Sequence, residues 1–343
     1  MTLLPTGGRA RETLAALCVV GFVATLCATP SSSAATHSRP KAKTVKTVVR
    51  TTKSAAAAPA SPQAGSTMLG GCPLFPADNA WNQDVSRVPV RSESVRWLSS
   101  VNGAGNENLH PDFGSSPEYG IPYLVVPSSQ KLVPVTFDEF ADESDPGPYP
   151  IPLNAPIEGG GDRHVIVVQQ ETCRLYELYH AKPGKAGWVA GSGATFDLRT
   201  NGVRAKGWTS ADAAGLAILP GLIRYDEVKA GVITHALRVT FAATQKAFIA
   251  PASHSAGKAD PALPPMGARL RLRADFDLSG VTGDALVILK AMQRYGLIVA
   301  DNGSAWFVSG ATDSRWNDDD LGQLKKIPGT AFEFIDNGPI EKA

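Results

Sequence analysis

From about residue 120 onward the chain is a series of short apolar runs broken by Gly, Pro, Asn and Asp. Residues 123–126 and 132–137 are β-branched and are separated by Pro127 and Ser128. Residues 164–169 are continuously apolar after His164, which predicts a strand buried on both faces. Residues 173–179 alternate instead. Cys173, Leu175, Glu177 and Tyr179 share one face, and Arg174, Tyr176 and Leu178 share the other. Further strands are expected at 236–241, 246–250, 269–274, 297–300, 305–309 and 331–335. Asp301-Asn302-Gly303-Ser304 predicts a tight hairpin between two of them, because Asn-Gly accepts positive φ.

Helical periodicity is scarce. Residues 93–101 fit one short helix. Residues 209–215 open like a capping box, with Thr209 at the cap and Asp212 three residues on. In 283–295, Ala285, Leu286, Ile288, Leu289 and Met292 recur at helical spacing until Gly296 stops them. Residues 318–326 begin with acids and end with lysines, as the helix dipole favours. Many strands and few helices predict a mostly β fold, a sandwich or barrel-like domain with a few peripheral helices.

Composition agrees with a folded body. Of 343 residues, 43% are hydrophobic and 19% charged, which excludes wholesale disorder and a coiled coil. The net charge of +1 hides an asymmetry. Residues 1–71 carry eight basic residues and one acid, leaving 25 basic and 31 acidic residues in 72–343, a net of −6. Such a body is a poor nucleic-acid binder, because phosphate contacts need clustered Lys and Arg.

The N-terminus reads as an export signal. Arg9 and Arg11 precede an apolar run over 14–28, followed by small residues to Ala35. The run is shorter than the ~20 residues of a comfortable membrane span, so no span is expected after cleavage. Residues 36–71 are Ala, Pro, Ser, Thr and Lys without an acid or an aromatic, a basic disordered linker. The expected organisation is a signal peptide at 1–35, a linker at 36–71 and a single β-rich domain at 72–343. The expected location is extracellular or periplasmic. The two cysteines left after export, Cys72 and Cys173, predict one disulfide.

No motif fixes a reaction. Glu177 is a carboxylate on an otherwise apolar strand face, so it is paired, exposed or functional. Arg224, Tyr225, Asp226 and Glu227 cluster downstream. On a strand Asp226 and Glu227 point oppositely, so either could work with Glu177 as the acid and base, or nucleophile, of sugar hydrolysis. His164 and His235 are alternative bases. Arg163 and Arg238 are candidates to orient or neutralise a substrate. A Tyr or His base beside an Arg suits β-elimination on an acidic polysaccharide, a role open to Tyr179, His235 and Arg238. The glycines of GGGDRH end in Asp162, Arg163 and His164, and no phosphate-loop pattern or following helix accompanies them. The plainer reading is a turn with a local Asp–Arg pair.

Asp301, Asn302 and Trp306 form the most site-like set, a polar hairpin tip beside a platform for a sugar ring. Core packing is the competing role for each tryptophan. There is no HExxH and no close His/Cys set, so neither a metal nor a cofactor is expected. The acidic run Asp142-Glu143-Ser144-Asp145 lacks an EF-hand pattern and reads as a solvated turn.

CPLFPADNAWN, LHPDFG, DESDPGPYPIP, APIEGGGDRH, LYELY, GWTSADAAGL, LPGLIRYDEV, HALR, PPMGARLRLRADFDLS, YGLIVADNGSAWFVSGA and RWNDDDL spread over nearly all of 72–343. Taken together they resemble a group of secreted bacterial proteins. The resemblance implies export and one shared architecture, and it implies no mechanism and no catalytic residue. The expected function is that of an exported carbohydrate-active protein, a polysaccharide hydrolase or lyase acting on a cell-wall or environmental glycan. The alternative is a non-catalytic glycan-binding or envelope module.

Overall fold

A computed structural model describes residues 67–103 and 107–342. The expected signal peptide and most of the expected linker lie outside the described residues. Regular structure begins before Cys72, because Met68–Leu69 pairs antiparallel with Cys72–Pro73. Gly70 and Gly71 supply the positive φ angles of that turn. Cys72 is bonded to Cys173, as expected from the cysteine count.

Two sheets organise the domain. Numbering only their strands, they are β1 His110–Asp112, β2 Tyr123–Val126, β3 Val165–Gln169, β4 Arg174–Tyr179 and β5 Ser192–Asp197, then β6 Leu237–Phe241, β7 Arg269–Leu272, β8 Leu297–Asn302, β9 Phe307–Ser309 and β10 Phe332–Phe334. The first sheet runs β5-β4-β3-β2, and the second runs β10-β7-β8-β6-β9-β1. Among the described residues the fold is mostly β, with several sheets and no closed barrel. The helices are α1 Ser94–Val101, α2 Tyr225–Lys229, α3 Gly283–Arg294 and α4 Asp318–Leu321.

The four-stranded sheet is buried on both faces, which explains the continuous apolar run of β3. Ile166 and Val168 enter the main core with Leu175, Phe196, Leu237 and Val239. Val165 and Val167 enter a smaller core with Tyr149, Ile151 and Trp188. The alternation of β4 also holds. Leu175 joins the main core and Leu178 the smaller one, so Glu177 faces the main core beside Leu175.

Between the two sheets runs a buried connection, residues 211–223. Its residues from Ala214 to Ile223 are buried throughout. Buried irregular backbone needs partners for every N–H and C=O. Here side chains supply many of them. Glu177 accepts from the amides of Ile218 and Leu219 at 2.9–3.0 Å. His164 Nε2 lies 3.0 Å from the Ala211 carbonyl. Ser210 Oγ donates to the Leu216 carbonyl, and Arg224 to the Leu219 carbonyl.

Four local expectations are corrected. Residues 209–215 form turns rather than a helix, and the Thr209 hydroxyl bonds the Asp212 carbonyl. The Asp212 side chain is taken by Arg238, which is worth more than a cap. Residues 225–229 are the helix α2, so Asp226 and Glu227 do not alternate on a strand. Strands β8 and β9 are not a hairpin, because β6 lies between them. The acidic run at 142–145 is not a solvated turn: Asp145 binds Arg204 at 2.7 Å and Glu143 accepts from the Thr209 amide.

Candidate functional site

Arg238 of β6 is the centre of a polar row across the second sheet. Asp112 pairs in register with Ser309, and Ser309 lies across from Arg238, so all three side chains share a face. The register of β6 against β8 shifts between Val239 and Thr240, setting Thr240 opposite Asp301. That extra residue turns Asp301 onto the Arg238 face, as bulges do beside sites.

The arginine is buried and makes four hydrogen bonds. Nε and Nη2 reach Asp212 at 3.0 Å each, Nη1 reaches Ser309 Oγ at 2.7 Å, and Nη2 reaches Asp301 Oδ2 at 3.3 Å. The two-point bond makes Asp212 its main counter-ion. Asp301 gains less from a cation already shared. Burial, reinforced by the charge of Asp212, pushes its carboxyl up to about 7, against the opposing pull of Arg238. Its side chain stays 23% exposed, so it reaches solvent where Asp212, at 0%, does not.

The rim around this row is acidic. Asp112 is exposed at the end of β1, and its carboxyl is raised by the low-polarity walls around it and then by Glu158. Tyr179, at the end of β4, is raised by partial burial and by the charges of Asp162, Glu139 and Asp301. Its ring lies 5.8 Å from both the His164 and His180 rings. His180 pairs with Glu139 at 2.5 Å, and His164 with Glu158 at 2.5 Å. Burial opposes a charge on His164, but Glu158 outweighs it and holds the ring above its ordinary value. Sequence reasoning missed Asp112, Glu139, Glu158 and His180. The LHPDFG and PIEGGG segments carry two of them, but no local pattern marks their convergence.

The expected site residues separate into distinct environments. Glu177 is fully buried with both oxygens on backbone amides, and burial pushes it up to about 7 against those amides. It supports the inter-sheet segment and presents no free oxygen to a ligand. Asp226 is on the surface with Arg315, at 2.8 Å, and is not joined to Glu177. His235 is buried against Glu227 at 3.2 Å and the Ala236 carbonyl at 2.8 Å. Glu227 also pairs with Arg224, and the guanidinium with the His235 hydrogen bond, winning over burial, holds it at about 2.

Arg163 does not pair with Asp162: its Nε donates to the Ala181 carbonyl at 3.1 Å. Asn302 anchors a neighbouring loop through the Ala256 carbonyl at 2.8 Å. Trp306 is corrected outright as a sugar platform. It is fully buried, packs on Phe241 and Phe332, and donates to Asn102 Oδ1 at 2.9 Å. Trp81, Trp97, Trp188 and Trp316 are buried too, leaving Trp208 half-buried. The structure therefore joins His164, Arg238 and Asp301 of the expected set, with the Asn302 amide donating to Asp301 Oδ1 at 2.7 Å and Glu177 buried behind them in the field of Asp212 and His164, and it leaves Asp226, His235, Arg163 and Trp306 apart.

Among the described residues no group of three His, Cys, Asp or Glu side chains is arranged to hold a metal ion. Nor is any described helix long and apolar enough to cross a membrane. No protein family, curated protein or solved structure matches this chain.

Proposed function

We propose that this is an exported polysaccharide hydrolase whose general acid is Asp301. The observation that carries the reading is a solvent-reaching carboxyl raised to about 7 on the same sheet face as a second raised carboxyl, Asp112, with Arg238 and Ser309 on the two strands between them. Glycoside hydrolysis needs one carboxyl protonated near neutrality to deliver a proton to the leaving oxygen. It needs a second carboxylate to activate water or attack the sugar, and Asp112 takes that role. Arg238 positions Asp301 while Asp212 absorbs most of its charge. Glu177 and His164 act indirectly, by fixing the segment that carries Asp212.

Lyase chemistry is less well supported. Arg238 is buried and occupied by three protein partners, so it is not free to neutralise a substrate carboxylate. A binding module resting on its tryptophans is weakened by the burial of five of the six. Export is supported by the Cys72–Cys173 disulfide, since such bonds persist in oxidising compartments, and it belongs to the same proposal as the likeness to secreted bacterial proteins.

The test is reducing-end release by the purified protein on a panel of neutral and acidic polysaccharides. Release is expected on at least one polymer, and both Asp301→Asn and Asp112→Asn should lower it at least ~100-fold while melting normally. Release that survives both substitutions, or an inert protein on every polymer, overturns the reading.

A further inference from the structure

Asp112 also lines a cleft whose other residues the catalytic proposal does not use. Its volume is about 340 Å³, near the lower end for ligand pockets, and it suits a sugar ring with its hydroxyls. His110, Asp112, Tyr119, Phe307, Asp318 and Lys325 line it. The His110 and Phe307 rings stack in parallel, with centroids 4.2 Å apart and planes 12° apart. Tyr119 is 56% exposed, unusual for a large aromatic side chain that nothing in the fold covers. Aromatic faces and a polar rim are what a pyranose recognises: its C–H face stacks and its hydroxyls find donors and acceptors.

The cleft is pre-shaped. Ser115 holds Asp318 through its amide at 2.8 Å and its hydroxyl at 2.6 Å. A Cβ on Gly114 would sit 2.7 Å from Asp318 Oδ1, and one on Gly120 2.8 Å from the Thr312 amide nitrogen. Only glycine lets the loop carrying Tyr119 dock this closely at both ends. A wall already fixed before binding loses less entropy when the ligand arrives.

Charge narrows the ligand. Asp112 and Asp318 face one ammonium, Lys325, so the cleft carries an excess of negative groups and disfavours a uronate. Partial burial, and then Lys325, lower the pKa of His110, which favours a neutral ring able to donate and accept hydrogen bonds to hydroxyls.

We propose that this cleft is a sugar subsite, holding a neutral pyranose of the polymer next to the one cleaved at Asp301 and Asp112. It rests on the hydrolase reading for its position in the reaction, but binding can be measured without turnover. The experiment is calorimetric titration of the full-length Asp301→Asn protein with hexamers of glucose (β-1,4), N-acetylglucosamine (β-1,4), xylose (β-1,4) and galacturonate (α-1,4). At least one neutral hexamer should bind and the galacturonate hexamer should not. Tyr119→Ala and His110→Ala, each added to that protein, should weaken binding at least tenfold without changing its melting.

Binding of that hexamer left unchanged by both substitutions, preferential binding of galacturonate, or no binding by any hexamer overturns the subsite. If a neutral hexamer binds through Tyr119 and His110 but the wild-type protein cleaves no polymer, the subsite stands and the hydrolase reading falls. If polymers are cleaved and neither substitution raises KM, the hydrolase stands and the subsite falls.

Discussion

Asp301 meets Arg238 because the register of β8 slips by one residue against β6, between Val239 and Thr240. Without that slip, Asp301 would stand opposite Phe241 and point to the other face of the sheet. Burial and then the charge of Asp212 give the carboxyl a high affinity for its proton, and the 3.3 Å contact, secondary to the arginine's bond with Asp212, does not offset them.

The rate of hydrolysis should therefore fall as pH rises through about 7, where Asp301 loses the proton that it must donate. A pH profile of kcat/KM on whichever polymer is cleaved checks this. A profile with no alkaline limb between about pH 6 and 8 would speak against Asp301 as the acid.

Asp212 and Asp301 should differ sharply in stability. Asp212→Ala strips a fully buried arginine of its main counter-ion, and such losses cost about 3–5 kcal/mol. Asp301→Asn keeps the shape of a partly exposed, weaker partner and should cost under about 1 kcal/mol. Urea denaturation of the two variants reads the difference directly.

Glu177 predicts a pH-dependent stability. Its folded pKa is raised to about 7, so between roughly pH 4.5 and 7 the folded protein keeps a proton that the unfolded chain releases. Stability from this group falls as pH rises across that window, by an amount on the order of a few kcal/mol. Asp301 titrates over a similar range, so the decisive quantity is the wild type minus Glu177→Gln. That difference should slope with pH, because the amide cannot titrate. Glu177→Ala should be worse at every pH, as the Ile218 and Leu219 amides lose their acceptor in a buried place.

Replacing both Cys72 and Cys173 by Ala should cost about 4–5 kcal/mol by the loop-entropy argument, since the bond closes a span of 101 residues. Chemical denaturation of the variant against the oxidised wild type measures it.

Trp306 separates core from ligand surface. Trp306→Phe should lower stability by about 2–4 kcal/mol, through lost packing and an unpaired Asn102, while binding and cleavage stay unchanged. Lost affinity without lost stability would return Trp306 to the ligand.

The sequence by itself determined eight of the ten strands of the two sheets, whereas β1 and β5, which lack an apolar run of their own, were decided by pairing. Alternation in β4 sorts its residues onto two faces and the unbroken run of β3 reports burial on both, because a strand's side chains have a fixed period of two. The α3 helix was legible because its apolar spacing ends at a glycine, and the disulfide because two cysteines remain in the folded body. The partners of polar side chains were decided only by the tertiary structure. Nothing local tells Glu177, sealed in the core against the amides of a distant segment, from Asp301, which keeps a path to solvent beside Arg238. Thr209 and Asp212 read as a helix cap because capping is a local bond, yet Asp212 serves an arginine 26 residues away. The turn at 301–304 read as a hairpin because hairpins are local, yet β6 occupies the space between its strands. Hydrophobic patterning is set by each residue's own chemistry. A site instead depends on long-range register, and here a one-residue slip chose which carboxyl faces the arginine.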